Sequence, residues 1–156
     1  MSHLVSIEIK QGDFSLPTPE VLQEQNLAIY DLIQDNFFEL KGFEYHKEIK
    51  LNISLNSGSL VFEVISNGDL KLKTFFLSLT PLKQTINDYH TICMSYFSAV
   101  KELPIDKIEA IDMGRKGIHN EGARLLIDRL DGKINTDLET ARRIFTLIYA
   151  LTYERE

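Results

Sequence analysis

The run Glu48-Ile49-Lys50-Leu51-Asn52-Ile53-Ser54-Leu55-Asn56-Ser57-Gly58, continued by Ser59-Leu60-Val61-Phe62-Glu63-Val64-Ile65-Ser66-Asn67-Gly68, decides the fold class. Ile49, Leu51, Ile53 and Leu55 alternate with Lys50, Asn52 and Ser54, the period of a strand with one buried face. Asn56-Ser57-Gly58 turns the chain, and Leu60 to Ile65 returns it. Asn67-Gly68 supplies two residues that tolerate positive φ, so a second hairpin leads into a third strand ending near Leu79. The alternation of that strand slips near Thr74–Phe76, which predicts a bulge or a second buried face.

Upstream, His3 to Lys10 sets Val5, Ile7 and Ile9 against Ser6, Glu8 and Lys10, a half-buried strand ended by Gln11-Gly12-Asp13. Thr18-Pro19-Glu20 opens a helix, with Thr18 as N-cap and Pro19 at the first helical position, where its missing N–H costs nothing. Leu22, Leu27 or Asn26, Ile29, Tyr30 and Ile33 form its expected apolar stripe, and Asp35-Asn36 or Lys41-Gly42 ends it. Downstream, Thr80-Pro81 repeats the same capping device. Leu82, Ile86, Tyr89, Cys93, Tyr96, Phe97 and Val100 then recur at helical spacing.

Pro104 starts a further helix bearing Ile105, Ile108, Ile111 and, at the end of the row, Met113. Gly114, Gly117 and Gly122 predict a loosened or kinked stretch, because a glycine in a helix interior costs about 1 kcal/mol against alanine. Ala123, Leu126, Ile127 and Leu130 carry the helix on to Asp131-Gly132-Lys133. Asp137 caps the last helix, which is apolar around most of its girth from Ile144 to Leu151. Strands followed by helices are the signature of an α+β fold. The expectation is a single domain, strand-rich over 1–79 and helical over 80–156. An antiparallel sheet of about four strands (3–10, 47–56, 59–66 and 70–79) packs against helices from 18–39 and 81–154.

With 156 residues, 44% hydrophobic and 26% charged, the composition is that of an ordinary globular protein and excludes disorder. The net charge of −6 repels nucleic acid and anionic membranes, so neither is an expected partner. No secretory signal heads the sequence, and no apolar run nears the roughly 18 residues that a membrane span requires. One cysteine, Cys93, excludes an intramolecular disulfide and fits a reduced, cytoplasmic setting.

His90 and Cys93 stand three apart on a helix, as two metal ligands would, yet no second cysteine exists and the other histidines lie in unrelated segments. No metal site and no cofactor is expected. Cys93, mid-helix among Ile92, Met94 and Phe97, reads as inert core and not as a nucleophile. Gly114-Arg115-Lys116-Gly117 lacks the spacing of a phosphate loop.

The six arginines all fall after residue 114, among acidic residues that can pair with them. The densest polar cluster runs from Asp112 to Arg124, and its candidate ligand-binding residues are Asp112, Arg115, Lys116, His119, Asn120, Glu121 and Arg124. A continuous helix places Asp112, Arg115 and His119 on one face. A break near Gly117 instead makes Asn120 an N-cap whose free N–H groups, beside Arg115 and Lys116, attract a small anion. A histidine near a carboxylate also has the makings of a general acid–base pair. The alternative is a helix–helix corner held by salt bridges, which imitates a functional site.

Ile108-Glu-Ala-Ile-Asp-Met-Gly-Arg-Lys-Gly-Ile-His-Asn-Glu-Gly122 and Thr140-Ala-Arg-Arg-Ile-Phe-Thr-Leu-Ile148 resemble uncharacterised protein family 0262 of alphaproteobacteria. Leu77-Ser-Leu-Thr-Pro81, Asp88-Tyr89 and Thr18-Pro19-Glu20 match the same family, so the resemblance covers nearly the whole chain. It implies a bacterial cytoplasmic protein of one domain and supplies no activity, substrate or cofactor. Lys116 and Ile118 stand where Arg and Leu are expected, Gln84 interrupts a usual basic pair, and the tail lacks a usual His-Trp ending.

Two function classes follow. One is a regulatory or adaptor protein acting through protein contact, including contact with a second copy through the apolar last helix. The other is a small enzyme or anion-binding protein that uses the 112–124 cluster.

Overall fold

The computed structural model describes residues 1–10 and 16–153. The turn expected at Gln11-Gly12-Asp13, and Glu154 and Arg155, lie outside the described residues. In chain order the elements are β1 (His3–Lys10), α1 (Pro19–Gln34), β2 (Phe38–Leu40), β3 (Glu48–Asn56), β4 (Ser59–Ser66), β5 (Lys71–Ser78), α2 (Thr80–Glu102), α3 (Ile105–Leu130), β6 (Ile134–Thr136) and α4 (Leu138–Thr152). The fold is α+β, with a four-stranded sheet ordered β1-β3-β4-β5 and a small sheet of β2 and β6.

The large sheet is mixed, not antiparallel, because β1 runs parallel to β3. A parallel neighbour needs a long crossover, and α1 lies in that connection. The strand expected from Val5, Ile7 and Ile9 also carries an irregularity: pairing with β3 shifts between Leu4 and Ser6, so Leu4 and Ile7 are the buried pair. Asn36, just past α1, stands in for a strand at that bulge. Its Oδ1 accepts from Leu4 N at 2.6 Å, and its Nδ2 donates to Leu4 O at 2.9 Å and to Leu32 O at 2.7 Å.

The β3–β4 hairpin turns at Ser57 and Gly58, both with positive φ (51° and 82°), as a two-residue loop demands. The next turn differs from the Asn-Gly expectation: positive φ falls on Asp69 (68°). Ser66 closes this longer loop, its backbone N–H bonding Leu70 O and its hydroxyl accepting from Leu70 N. The irregularity expected near Thr74–Phe76 lies earlier, at Leu72, opposite the Val64/Ile65 shift.

Thr18 caps α1 as expected, its Oγ1 accepting from Val21 N at 3.4 Å. The helix ends at Gln34, short of residue 39, because Phe38–Leu40 leaves to pair with Ile134–Thr136. Its buried face is Val21, Gln25, Ala28 and Leu32, an i, i+4, i+7, i+11 row. Leu27, Tyr30 and Ile33, expected inside, are exposed. Helix α2 starts at Thr80, and Leu79 is its N-cap with no side-chain cap. Asp137 does cap α4, its Oδ1 accepting from Thr140 N at 2.9 Å.

No break interrupts α3, which runs as one helix through Gly114, Gly117 and Gly122. Two of those glycines make close approaches. A Cβ at Gly122 would lie 2.5 Å from ring atoms of Phe145, and one at Gly114 would lie 2.8 Å from Ile92 Cδ1. The packing gained there offsets the helix-propensity cost of about 1 kcal/mol each. Asn120 is therefore mid-helix and caps nothing. Helix α4 is buried at every position from Ile144 through Leu151, packed between α1, α3 and the sheet. Its all-round apolarity is thus accounted for by central burial within the chain.

Candidate functional site

Three helices turn polar rows with the same period toward one cleft of about 270 Å³. Helix α1 contributes Glu24, Leu27, Ala28 and Asp31, α3 contributes Arg115, Lys116 and His119, and α4 contributes Glu139, Arg142, Arg143 and Thr146. Tyr89 of α2 forms part of the lining. Each row follows helical spacing, so the cleft is built from straight helix faces and not from loops.

Arg115 is held on three sides. Its Nη2 and Nε donate to Asp112 Oδ1 at 2.8 and 3.2 Å, and its Nη1 donates to Glu24 Oε1 at 3.0 Å. Its guanidinium carbon lies 4.2 Å from the centre of the Tyr96 ring. Lys116 Nζ reaches Asp112 Oδ2 at 3.0 Å. The Arg115 hydrogen bond is the main reason the Asp112 carboxyl is held below its ordinary range, with Lys116 adding to it. Burial raises the Glu24 carboxyl, opposed by the charge and hydrogen bond of Arg115. Glu24 Oε2 is buried and accepts no hydrogen bond.

His119 is not paired with a carboxylate. Its Nε2 lies 2.8 Å from the main-chain oxygen of Arg142, and because a carbonyl only accepts, that nitrogen carries the proton. Thr146 Oγ1 sits 2.9 Å from the same nitrogen and donates to the same carbonyl at 3.2 Å. The ring stacks on Tyr89, centroids 5.2 Å apart. Burial pulls the His119 pKa down to about 4, so the imidazole is neutral at pH 7. A neutral ring tied to a backbone carbonyl orients α3 on α4. It does not form the acid–base pair that the sequence spacing suggested.

On α4, Arg142 Nη1 donates to Glu139 Oε1 at 2.8 Å, while its Nε is buried and has no partner. Arg143 Nη1 donates to Asp35 O at 3.2 Å, and Nη2 stands 3.9 Å from Glu139 Oε2.

The sequence cluster therefore divides. Arg115, Lys116 and His119 line the cleft, and Asp112 holds the first two in place. Asn120, Glu121 and Arg124 are not in the lining. Glu121 and Arg124 are exposed, and Asn120 Oδ1 is buried without a partner. Sequence reasoning missed Glu24, Asp31, Tyr89, Glu139, Arg142, Arg143 and Thr146 as site residues. A signal for the α4 group was present: Glu139, Arg142, Arg143 and Thr146 form an i, i+3, i+4, i+7 polar row on an otherwise apolar helix.

Elsewhere, His90 Nδ1 lies 2.8 Å from the Tyr149 hydroxyl. Burial pushes the Cys93 thiol up to about 12, which accords with a packed and unreactive cysteine. Among the described residues, no three of His, Cys, Asp and Glu converge as metal ligands, and no helix is long and apolar enough to cross a membrane.

Fold and cleft together define an α+β protein with a charged cleft between three helices. The chain belongs to the uncharacterised protein family UPF0262, whose profile matches residues 1–154. It is similar to a UPF0262 protein of Dinoroseobacter shibae, 47% identical over 98% of this chain and 99% of the relative. Similar too are UPF0262 proteins of Cereibacter sphaeroides (48% identical, 97% of this chain and 98% of the relative) and Jannaschia sp. (46%, 98% and 99%). No solved structure matches the chain.

Proposed function

We propose that this protein is a ligand-binding protein whose cleft between α1, α3 and α4 takes a small metabolite bearing an oxyanion. The observation that carries this reading is Arg142. Its Nε–H is buried without a partner, in the lining of a cleft that Arg143, Lys116 and Arg115 share. A buried donor left unpaired costs about 1–3 kcal/mol, and an anionic acceptor removes that cost while gaining a charge-assisted bond. Four cations stand against three carboxylates (Glu24, Asp31 and Glu139) in the lining, a local excess of positive charge in a chain of net charge −6, and such a reversal of sign favours an anion there.

Arg115, Lys116 and His119 act from α3 and Asp112 positions the first two, while Asn120, Glu121 and Arg124 flank the site. The neutral His119 and the absence of a histidine–carboxylate pair among the described residues favour binding over acid–base chemistry. We set the protein in the cytoplasm as a single domain of residues 1–156, in keeping with its free, buried Cys93.

The test is an amide and arginine side-chain NMR titration with inorganic phosphate, succinate and free amino acids, each at about 10 mM, the concentration that still reveals binding in the millimolar range. Shifts confined to Glu24, Lys116, His119, Arg142 and Arg143 are the expected result. Shifts centred on Arg124, or none with any probe, would sink the reading.

A second reading is self-association through α1, where Leu27, Tyr30 and Ile33 leave an apolar row on the surface at 58%, 63% and 37% exposure. Light scattering across concentrations decides it. A mass that rises with concentration and is returned to monomer by Tyr30→Lys supports the homodimer, and a strict monomer disposes of it.

A further inference from the structure

The bonding capacity that the internal ion pairs of the cleft leave unused points beyond a simple anion, and this step rests on the binding reading above. Arg115 is engaged by Asp112 and Glu24, Lys116 by Asp112, and Glu139 by Arg142 and Arg143. Four groups keep capacity to spare. On α1, Glu24 Oε2 is buried without a partner, and Asp31 makes no ion pair among the described residues. On α4, Arg142 Nε is buried without a partner, and Arg143 stands 3.9 Å from its nearest carboxylate oxygen. Of these four groups the acceptors lie on α1 and the donors on α4, where Glu139 offsets part of the arginine charge, so the unused capacity has opposite signs at the two sides.

We propose that the ligand is a small zwitterion of the α-amino acid class, its carboxylate on Arg142 and Arg143 and its ammonium on Glu24 and Asp31. A dicarboxylate or phosphate satisfies the α4 wall but sets negative charge against two carboxylates on α1. A diamine makes the opposite error against the arginines. Only a molecule carrying both charges offers each wall a group of the opposite sign, and setting like charge against like is what discriminates against the others. The size agrees: about 270 Å³ lies just below the range of roughly 300–1,000 Å³ usual for larger organic ligands. Leu27, Ala28 and Tyr89 give the ligand's side chain an apolar surface between the two walls.

The experiment uses the full chain and NMR titration with each of the twenty free amino acids, then with succinate, putrescine and inorganic phosphate. Any amino acid that binds is compared with its N-acetyl form, which lacks the ammonium, and its amide, which lacks the carboxylate. The expected result is binding by at least one amino acid that weakens about tenfold or more when either charge is removed. Glu24→Gln and Asp31→Asn are expected to weaken the amino acid about tenfold while leaving succinate unchanged or tighter. Both variants are checked for native amide spectra, and either one alone suffices if the other fails to fold.

Succinate or phosphate binding at least as tightly as every amino acid would overturn the zwitterion while the anion reading stands. A bound amino acid indifferent to loss of its ammonium would do the same. Absence of binding by every probe would overturn both.

Discussion

Gly122→Ala and Gly117→Ala are the same substitution in the same helix, and the structure gives them opposite signs. At Gly117 an added Cβ meets nothing within 4 Å, so the change acts only on helix propensity and stabilises by about 1 kcal/mol. At Gly122 the Cβ would lie 2.5 Å from Phe145 Cε1 and Cζ and 2.7 Å from Cε2. Ordinary carbon contact is about 3.5–4.0 Å, so the ring must retreat by about 1 Å. Phe145 is fully buried and wedged against Tyr89 and His119, at ring-centroid distances of 5.8 and 6.0 Å, so little room exists for that retreat. A clash of this depth against a fully buried ring belongs in the upper part of the over-packing range, about 2–3 kcal/mol, which outweighs the gain of about 1 kcal/mol in propensity.

The expected outcome is a net loss of about 1–2 kcal/mol for Gly122→Ala. In thermal terms that is a Tm lower by about 2–8 °C, against a rise of about 2–4 °C for Gly117→Ala. Urea unfolding followed by circular dichroism measures both. A Gly122→Ala variant as stable as Gly117→Ala would refute the claim that this glycine sets the α3–α4 spacing.

Three further outcomes are expected. His119 has its pKa lowered to about 4 by burial, against about 6.5 in the unfolded chain. The unfolded state therefore binds the extra proton first, and stability falls from about pH 6.5 down to about 4 by about 3 kcal/mol. A His119→Gln variant flattens that stretch of the pH–stability curve, and an unchanged slope would remove the assignment. Glu24 is the reverse case, because a carboxyl raised by burial stabilises at acid pH and loses that contribution as pH rises through its folded value. Glu24→Gln should therefore gain stability relative to wild type on going from about pH 4 to about pH 8, which denaturant midpoints at the two pH values will show. Asn36→Ala removes three bonds to the backbone of Leu4 and Leu32 and should cost about 2–3 kcal/mol, with faster amide exchange at Leu4 as its local signature.

What the sequence determined by itself is local. The β3–β4 hairpin, the caps at Thr18 and Asp137, and the burial of α4 all follow from periodicity and from residues within one turn of each other. What only the tertiary structure decided depends on partners distant in sequence. The parallel pairing of β1 with β3 joins residues far apart along the chain, such as His3 with Glu48, and alternation is identical in parallel and antiparallel edge strands. The small sheet of β2 and β6 is three residues long on each side, too short to show a period. Residues 112–124 read as a site or as a corner because spacing along one helix cannot say what faces it. Glu24 stands 91 residues from Arg115, and only their contact shows that this arginine is already paired. Arg142 lies 23 residues from His119, supplies the carbonyl that holds the ring, and keeps its own Nε buried without a partner. Three separate helix faces of period about 3.6 become one cleft only when the core brings α1, α3 and α4 together, and no single segment encodes that meeting.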